Sequence, residues 1–553
     1  MNRKRISALV LIPILAVMML CAPVVVNPEQ MGAYGRLQND QPVSLRFFGS
    51  ATADLFTREL EESFQAVLEK NFVGEAGNGV PAGFVNASLP GFPWAGTMWT
   101  RDGGTFMREL VMRGYYEHAA LLAECLIGLV KKNHQGYYAF PMYFKGSPQY
   151  FKGEEPASTT EVDGSASIAI GMALLWERLP KGHPTKKRIQ EFMFQDASPV
   201  SYFRFLLATR PLVPGTGEFG CGMGAKEPDM CYNVVQNNLV RLAFLATADM
   251  AEESGNVALA QEYRRLAAKS GDGMAKYLVD KDGSWIWSID PATMKPDVTN
   301  NDSKENRGFG GLNGVASMNA DLLGFQPLAS SSKSAQHSDE ETFQRLYRTP
   351  LRKMEFDRYG IWTQFDLLAG GLLSSPAYGQ GYALQTMLLY DKLEMADKAI
   401  SWLANATYNP VPEYKLHRSS PYYFYERTYS PDAVGKIELE EGCGALNVVN
   451  VTEPLKLSRL LLGVDDTALQ SVLIIPRIPA SWKGVEARNW PIRSLHGIVR
   501  ADIVFERRGA GAKLTLKLGP GQRINDLRVR MPSTSGYLWR EWKDTGAISF
   551  VTR

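Results

Sequence analysis

The sequence predicts a mainly α protein in which an irregular ring of helices is followed by a small C-terminal β-sandwich. Apolar residues recur at helical spacing over most of the chain up to residue 462. From residue 471 onward the pattern changes to short β-type runs separated by turns that contain glycine and proline. With 553 residues the chain is too long for one ordinary hydrophobic core, so a large helical ring or several domains are expected.

The helical part is predicted from segments that each carry an apolar stripe. These segments are 56–69, 104–131, 165–178, 186–194, 201–209, 233–253, 257–278, 343–348, 383–389, 396–407 and 445–462. Long loops rich in glycine, proline and aromatic residues separate them, at 90–100, 136–156, 211–228 and 408–444. Loops of this length on a rigid scaffold are typical of functional sites. No strict short repeat is present, which favours an irregular ring over a regular solenoid.

The β-sandwich is predicted from short runs with strand patterning. These runs are 472–475, 498–505, 514–518 and 527–531. The chain is therefore divided into a leader at 1–26, a helical domain at 27–462 and a sandwich at 463–553.

Charge is balanced, with 60 Lys and Arg against 58 Asp and Glu. No field of one sign would draw the whole surface to nucleic acid or to an anionic membrane, so a nucleic-acid partner is not expected. Aromatic residues make up 11% of the chain and include eleven Trp. Their flat apolar faces suit sugar rings, although a large core would also use them.

The N-terminus has the pattern of a signal peptide. Arg3, Lys4 and Arg5 precede an uncharged run at 8–26. The run is long enough for an uncleaved membrane anchor, and Cys21 leaves a lipid anchor as a further alternative. Export to the periplasm or the extracellular space is predicted, with membrane attachment, if any, only through this segment.

The remaining cysteines are Cys125, Cys221, Cys231 and Cys443. They form no CxxC pair and no Cys/His cluster, so a zinc site is not expected and no other cofactor is indicated. Cys221 and Cys231 lie in one glycine-rich loop. In an exported protein they could be oxidised to a disulfide, and two free thiols are the alternative.

The segment from Met98 to Gly104 reads Met-Trp-Thr-Arg-Asp-Gly-Gly and leads into a helix. Asp102 is either the N-cap of that helix or part of a cleft. An N-cap residue can act without a neighbouring Trp or Arg, so a capping role would not explain the presence of Trp99 and Arg101. Arg and Asp make directional hydrogen bonds to sugar hydroxyls while Trp stacks on the ring, which favours a binding site.

A second segment, Thr-Thr-Glu-Val-Asp-Gly-Ser-Ala at 159–166, ends a long loop and opens a helix. Glu161 and Asp163 are two residues apart, so in an extended segment they diverge and at most one faces a site unless the chain turns. Asp163 before Gly164 also fits a cap or a turn.

Together these two segments resemble the six-hairpin glycosidases, and most closely the glucoamylase-type enzymes. Trp-Thr-Arg-Asp at 99–102 is followed by Val-Asp-Gly-Ser-Ala at 162–166, where Ser165 replaces the proline of the family's segment. Val-Gln-Asn-Asn-Leu at 235–239 is similar to a third family helix. The resemblance spans roughly residues 94–462 and implies an (α/α)6 toroid in which Arg101 and Asp102 hold the terminal sugar.

The resemblance also implies a general acid in the loop before that third helix. Glu218 stands in the glycine-rich stretch Gly-Glu-Phe-Gly, where desolvation would raise the pKa of a carboxyl as a general acid requires. Glu227 lies nearer the helix and is the rival. The family's pair of adjacent glutamates after a Trp is missing here.

The second carboxylate is expected late in the ring. Glu426 lies in an aromatic loop at a place comparable to the family's general base, and Glu440 and Glu441 are rivals beside Gly442. Tyr378 and Gln380, in the segment Tyr-Gly-Gln-Gly-Tyr that opens another helix, are expected to bind substrate.

Two carboxylates on opposite sides of a glycosidic bond are what hydrolysis needs, and the resembling families mostly invert the anomeric centre. The predicted function is therefore a glycoside hydrolase. Residues 474–482 also look like the sandwich of rhamnosidase-type enzymes, so an α-glucoside substrate is not implied. A polysaccharide lyase, a phosphorylase and a non-catalytic glycan-binding protein remain alternatives.

Overall fold

We analysed the protein through a computed structural model. It describes residues 42–77, 79–90, 94–145, 161–215, 231–279, 286, 288–296, 364–366, 371–374, 384, 387–388, 391–408, 427–430, 438–440, 446–495 and 497–553. The predicted leader at 1–26 and the predicted helix at 343–348 lie outside these residues. Within them, none of the helices combines the length and apolarity that crossing a membrane requires.

The described helices follow the predicted order. They are α1 (Ala51–Lys70), α2 (Thr100–Met112), α3 (Tyr116–Leu129), α4 (Val162–Arg178), α5 (Pro184–Phe194), α6 (Pro199–Ala208), α7 (Val234–Glu253), α8 (Val257–Tyr277), α9 (Leu393–Tyr408) and α10 (Val448–Leu462). Ser50, Ser198, Asn233 and Asn256 cap the N-termini of α1, α6, α7 and α8 through their side chains, which satisfies backbone donors that the helix leaves unpaired.

The prediction of one helix at 104–131 is wrong, because the chain forms α2 and α3 instead. Gly114 stands between them with a φ of +80°, a conformation that glycine adopts without strain. The apolar periodicity continues across this turn, since both helices bury a face in the same core.

The helices form two layers. Every residue of α2 is buried, as are all but one residue of α4 and three quarters of the residues of α7. Helices α1, α3, α5 and α8 bury one face and expose the other. Helix α2 packs against α4 and α10, and α4 packs against α7, so these helices form an inner layer. The closure of this layer into a ring of six hairpins stays a prediction.

Short strands precede the inner helices. Strands β2 (Thr97–Trp99) and β3 (Tyr143–Lys145) pair beside α2, while β4 (Pro214–Gly215), β5 (Cys231–Asn233) and β6 (Ser288–Ile289) form a sheet beside α7. A further sheet contains β7 (Gln364–Asp366), β8 (Gly371–Ser374), β9 (Arg427–Ser430) and β10 (Glu438–Glu440).

The C-terminal residues form two sheets. One has β11 (Val464–Asp465), β12 (Val472–Ile474), β16 (Ile524–Ser533) and β17 (Gly536–Thr545). The other has β1 (Ser44–Phe48), β13 (Gly484–Ser494), β14 (Gly497–Arg508), β15 (Gly511–Leu518) and β18 (Ala547–Val551). The four predicted strands correspond to β12, β14, β15 and β16.

Strand β1 joins the second sheet although it precedes all the described helices. It pairs antiparallel with β13, with Ser44 opposite Arg488 and Phe48 opposite Gly484. Phe47 is fully buried, and its ring lies 5.8 Å from that of Phe56 in α1 and 5.4 Å from that of Trp482. The sandwich is therefore built from both ends of the described chain.

Candidate functional site

Three inner helices meet at their N-terminal ends. Helix α2 follows strand β2, α7 follows strand β5, and α4 begins directly after Glu161. The N-terminus of a helix presents free N–H groups and a partial positive charge, which favours acidic side chains and polar ligands there. This end of the helical layers is the candidate site.

Asp163 is the centre of the described part of this site. Its side chain is fully buried at the second position of α4. Arg101 Nη1 lies 3.4 Å from one carboxylate oxygen, Oδ2, and Gln236 Nε2 donates to the other, Oδ1, at 3.3 Å. The carboxylate is thus held from two sides by α2 and α7, which fixes its direction.

Asp102 lies beside Arg101 within the first turn of α2. Arg101 Nε is 3.6 Å from Asp102 Oδ1, and both side chains are only 6% exposed. The alternative in which Asp102 is the N-cap is wrong, because Trp99 occupies that position and makes no capping hydrogen bond with its side chain. A negative charge in the first turn is still favoured by the helix dipole.

Glu161 also faces the start of α2. Its backbone N–H donates to Phe140 O at 2.8 Å, and its Oε2 lies 3.5 Å from Thr100 Oγ1, which donates to Pro141 O at 2.6 Å. The chain turns from extended at Glu161 into the helix, so Glu161 and Asp163 do not diverge as they would in a strand. Both are buried against the first two residues of α2.

Gly164 makes this approach possible. A Cβ added at this position would lie 2.1 Å from Thr100 Oγ1 and 3.0 Å from Glu161 Oε2, so any larger residue would separate the two helix ends. The glycine after Asp163 is therefore required by packing at the site.

An aromatic cluster adjoins these charges. The rings of Trp99 and Trp94 are 4.9 Å apart, edge to face, and Tyr143 lies 5.4 Å from Trp99. Pairing of β2 with β3 places Trp99 opposite Tyr143. Trp99 is buried, while Trp94 and Tyr143 are partly exposed, so the cluster presents apolar ring surface next to the polar side chains.

The structure brings together five residues that the sequence predicts to bind substrate, namely Trp99, Arg101, Asp102, Glu161 and Asp163. It places Trp94, Tyr143 and Gln236 beside them, and these three were not predicted. Trp94 and Tyr143 lie in the long loops that were already singled out. Gln236 belongs to a run of three amides that is wholly buried in α7, a pattern that an ordinary core helix does not need. That run is the signal that would have found it.

The loop before α7 is built around the same amides. Asn237 accepts a hydrogen bond from Val213 N at 2.8 Å and donates to Val213 O at 3.0 Å. A Cβ added at Gly215 would lie 2.2 Å from Gln236 Oε1. Cys231 is disulfide-bonded, and its predicted partner Cys221 lies outside the described residues.

The predicted catalytic residues Glu218, Glu227, Glu426 and Glu441 lie outside the described residues, as do Tyr378 and Gln380. Their assignments stay predictions. Arg427 and Glu440, the chain neighbours of Glu426 and Glu441, are paired opposite each other across β9 and β10. In the described part of the chain, no group of three or more His, Cys, Asp or Glu is placed to hold a metal ion.

Comparisons with known proteins give matches among solved structures. No family model matches the sequence, and no curated protein does. The α-L-rhamnosidase from Dictyoglumus thermophilum is 11% identical, with a TM-score of 0.56, over 93% of this chain and 50% of that chain. The α-L-rhamnosidase from Aspergillus terreus is 12% identical, with a TM-score of 0.55, over the same shares of the two chains.

The glucoamylase from Saccharomycopsis fibuligera is 14% identical, with a TM-score of 0.52, over 78% of this chain and 97% of that chain. The chain spans about half the length of the rhamnosidases it matches. At these identities the likeness concerns the fold alone. The chain therefore shares the fold of these solved α-L-rhamnosidases and of this glucoamylase, which agrees with the resemblance seen in its sequence at the level of fold alone.

Proposed function

We propose that the protein is a glycoside hydrolase whose substrate binds at the shared N-terminal end of α2, α4 and α7. The observation that carries this proposal is the buried Asp163 carboxylate held between Arg101 and Gln236. Sugar hydroxyls need fixed donors and acceptors, and this cluster supplies both. The partly exposed rings of Trp94 and Tyr143 offer a surface on which the apolar face of a sugar can stack.

In the proposed reaction, Arg101, Asp102, Glu161 and Asp163 bind and orient the sugar. Glu218, or its rival Glu227, donates a proton to the glycosidic oxygen as the bond from that oxygen to the anomeric carbon breaks. Glu426, or its rival Glu441, accepts a proton from the water whose oxygen attacks the anomeric carbon from the opposite face. The configuration inverts, provided that the two carboxyl groups are about 6.5–9.5 Å apart.

We further propose that the protein acts after export, since the basic residues and apolar run at its N-terminus have a leader's pattern. The proposed chemistry uses carboxylates and water and requires no cofactor.

The test is a product screen with purified protein that lacks residues 1–30. The panel begins with aryl α-L-rhamnosides and α-glucosides, because solved structures with the same fold are α-L-rhamnosidases and a glucoamylase. Glu218→Gln and Glu426→Gln are assayed beside the wild type, with Glu486→Gln on the exposed face of the sandwich as the matched control. NMR of the first product formed reports whether the anomeric centre inverts.

Hydrolysis that is lost in both variants and kept in the control would support the proposal and its pair of carboxylates. Activity that survives one substitution would transfer that role to Glu227 or Glu441. An unsaturated product that absorbs ultraviolet light would indicate a lyase, and a phosphate requirement would indicate a phosphorylase. Binding without turnover across the panel would overturn the hydrolase in favour of a glycan-binding protein.

A further inference from the structure

The junction between the helical layers and the sandwich is built from ion pairs. At the C-terminal end of α4, Arg178 Nη2 lies 2.7 Å from Asp466 Oδ1 in the segment that links β11 and β12. In β13, Arg493 Nη1 lies 3.3 Å from Glu177 Oε2. The backbone N–H of Arg493 donates to Asp466 Oδ2 at 2.6 Å. Arg493 Nη2 also pairs with Glu253 at the end of α7. These contacts connect two inner helices to both sheets.

Glu177 shares both of its cationic neighbours with other carboxylates. Its side chain is 3% exposed, so water contributes little to its solvation. Its two cationic neighbours, Arg178 and Arg493, both approach the same oxygen at 3.3 Å. Each of them also pairs with another carboxylate, Asp466 or Glu253, so neither positive charge is available to Glu177 alone.

The surrounding elements add charges of both signs. Helix α7 contributes Asp249 and Glu253, whose negative charges repel that of Glu177. Three other charged side chains near the junction have partners of their own. Lys186 in α5 donates to Leu179 O at 2.8 Å, and Arg264 in α8 pairs with Asp249. The carboxylate of Asp465 accepts a hydrogen bond from Thr467. Among the described residues, Tyr116, Lys181, Glu252 and Arg459 are further charged or titratable groups near the junction.

These surroundings act on the ionisation of Glu177. Burial raises its pKa to about 7, with Glu253 and Asp249 acting in the same direction and Arg493 and Arg178 opposing them. The proton therefore titrates within the neutral range, where an ordinary glutamate is fully charged.

We propose that this junction responds to pH, and that the helical layers and the sandwich are held together more strongly when Glu177 carries a proton. Protonation removes a buried negative charge whose two arginine neighbours are shared with other carboxylates. Arg178 is then paired with Asp466, and Arg493 is paired with Glu253. Because the folded-state pKa lies above the ordinary value of 4.5, the folded protein binds more protons than the unfolded chain between about pH 4.5 and 7. Stability therefore falls as pH rises through that window and levels off above it.

This response does not depend on the proposed glycosidase activity, and its test needs no substrate. The midpoint of thermal unfolding is measured from pH 5 to 8 for the wild type, Glu177→Gln and Glu486→Gln. Glu486 pairs with Arg488 on the exposed face of β13, so its substitution is a matched control on the same strand as Arg493. We expect the unfolding equilibrium constant of the wild type to rise with pH by up to about a hundredfold relative to that of Glu177→Gln.

A second variant keeps the test decisive if Glu177→Gln does not fold. Glu253→Gln removes a negative charge that repels Glu177 and leaves Arg493 paired with Glu177. The pKa of Glu177 should then be lower, so the fall in stability should occur at lower pH. Hydrogen exchange, corrected for its intrinsic pH dependence, should show loosening at the end of α4 and in β13 above pH 7. A Glu177→Gln variant with the wild-type pH profile, or a Glu253→Gln variant whose profile does not move, would overturn the proposal.

Discussion

Asp163 is a charged residue without access to water, so its neighbours determine whether it stabilises the fold. We expect Asp163→Ala to lower the free energy of unfolding by about 3 kcal/mol, because the buried guanidinium of Arg101 loses a carboxylate partner. Chemical unfolding followed by tryptophan fluorescence measures this loss. Asp502→Ala, which removes an exposed partner of Arg488, is the control and should cost less than about 1 kcal/mol. Equal losses in the two variants would contradict this account.

At the scale of single residues, the sequence motifs contain residues that meet at this site, but they do not show which side chains these residues contact. Trp99, Arg101 and Asp102 form a compact motif that resembles a known one, and Asp163 lies in a second motif. The contact between Arg101 and Asp163 joins residues 62 positions apart, and it depends on how closely α2 packs on α4. No local pattern encodes that distance. The contact of Gln236 with Asp163 depends in the same way on how α7 packs beside α4, although the run of three amides marks this part of α7 in the sequence.

Among the elements, the contact between α2 and α4 depends on a glycine. A Cβ added at Gly104 would lie 2.5 Å from the backbone nitrogen of Ile168 and from the backbone carbon of Ser167. We therefore expect Gly104→Ala to lower the free energy of unfolding by about 2 kcal/mol, because the helices must move apart. Differential scanning calorimetry provides the measurement.

Gly128 in α3 is the matched control for Gly104. No atom lies within 4 Å of a Cβ added there. In an open helical position, alanine is more favourable than glycine by roughly 0.5–1 kcal/mol, so Gly128→Ala should stabilise the protein. The two glycine-to-alanine substitutions are thus expected to change the free energy of unfolding in opposite directions. A change in the same direction would show that the approach of α2 to α4 does not limit stability.

Two of the strands that the sequence failed to predict, β13 and β17, lack an uninterrupted alternation of buried and exposed residues. Strand β13 has a shift of register between Ala487 and Trp490, and Asn489 there has a φ of +56°, so its alternation is interrupted. Strand β17 is exposed along nearly its whole length, so its apolar side chains do not mark one buried face. By contrast, β14 alternates cleanly between buried and partly exposed positions, and it was predicted. Periodicity predicts an element only where one face is buried without interruption.

In the whole molecule, Phe47 joins the first strand, the first helix and the sandwich in one aromatic cluster. Its ring contacts those of Phe56 and Trp482, and it is fully buried. We expect Phe47→Ala to cost about 3–4 kcal/mol in the free energy of unfolding. Phe205→Ala, at a side chain 43% exposed, is the control and should cost far less. Thermal unfolding of the two variants side by side distinguishes a shared core from a loosely attached strand.

The order of helices followed by C-terminal β-sheets was predictable because two different periodicities occupy two different parts of the chain. The position of β1 in the sheet could not be predicted. A strand of five residues is too short for its sequence pattern to indicate a partner strand more than 400 positions away. The count of six hairpins rests on the resemblance alone and stays a prediction.

The pairing of β1 with β13 has a consequence for biosynthesis. Ser44 leaves the ribosome long before its partner Arg488, which is translated only after all the described helices. At roughly 5–20 residues per second, the first strand waits for about 20–90 s with Leu45 and Phe47 lacking the sheet that buries them. The nascent chain therefore carries an incomplete β-edge throughout synthesis of the helical layers, and a factor that shields this edge should raise the yield of folded protein.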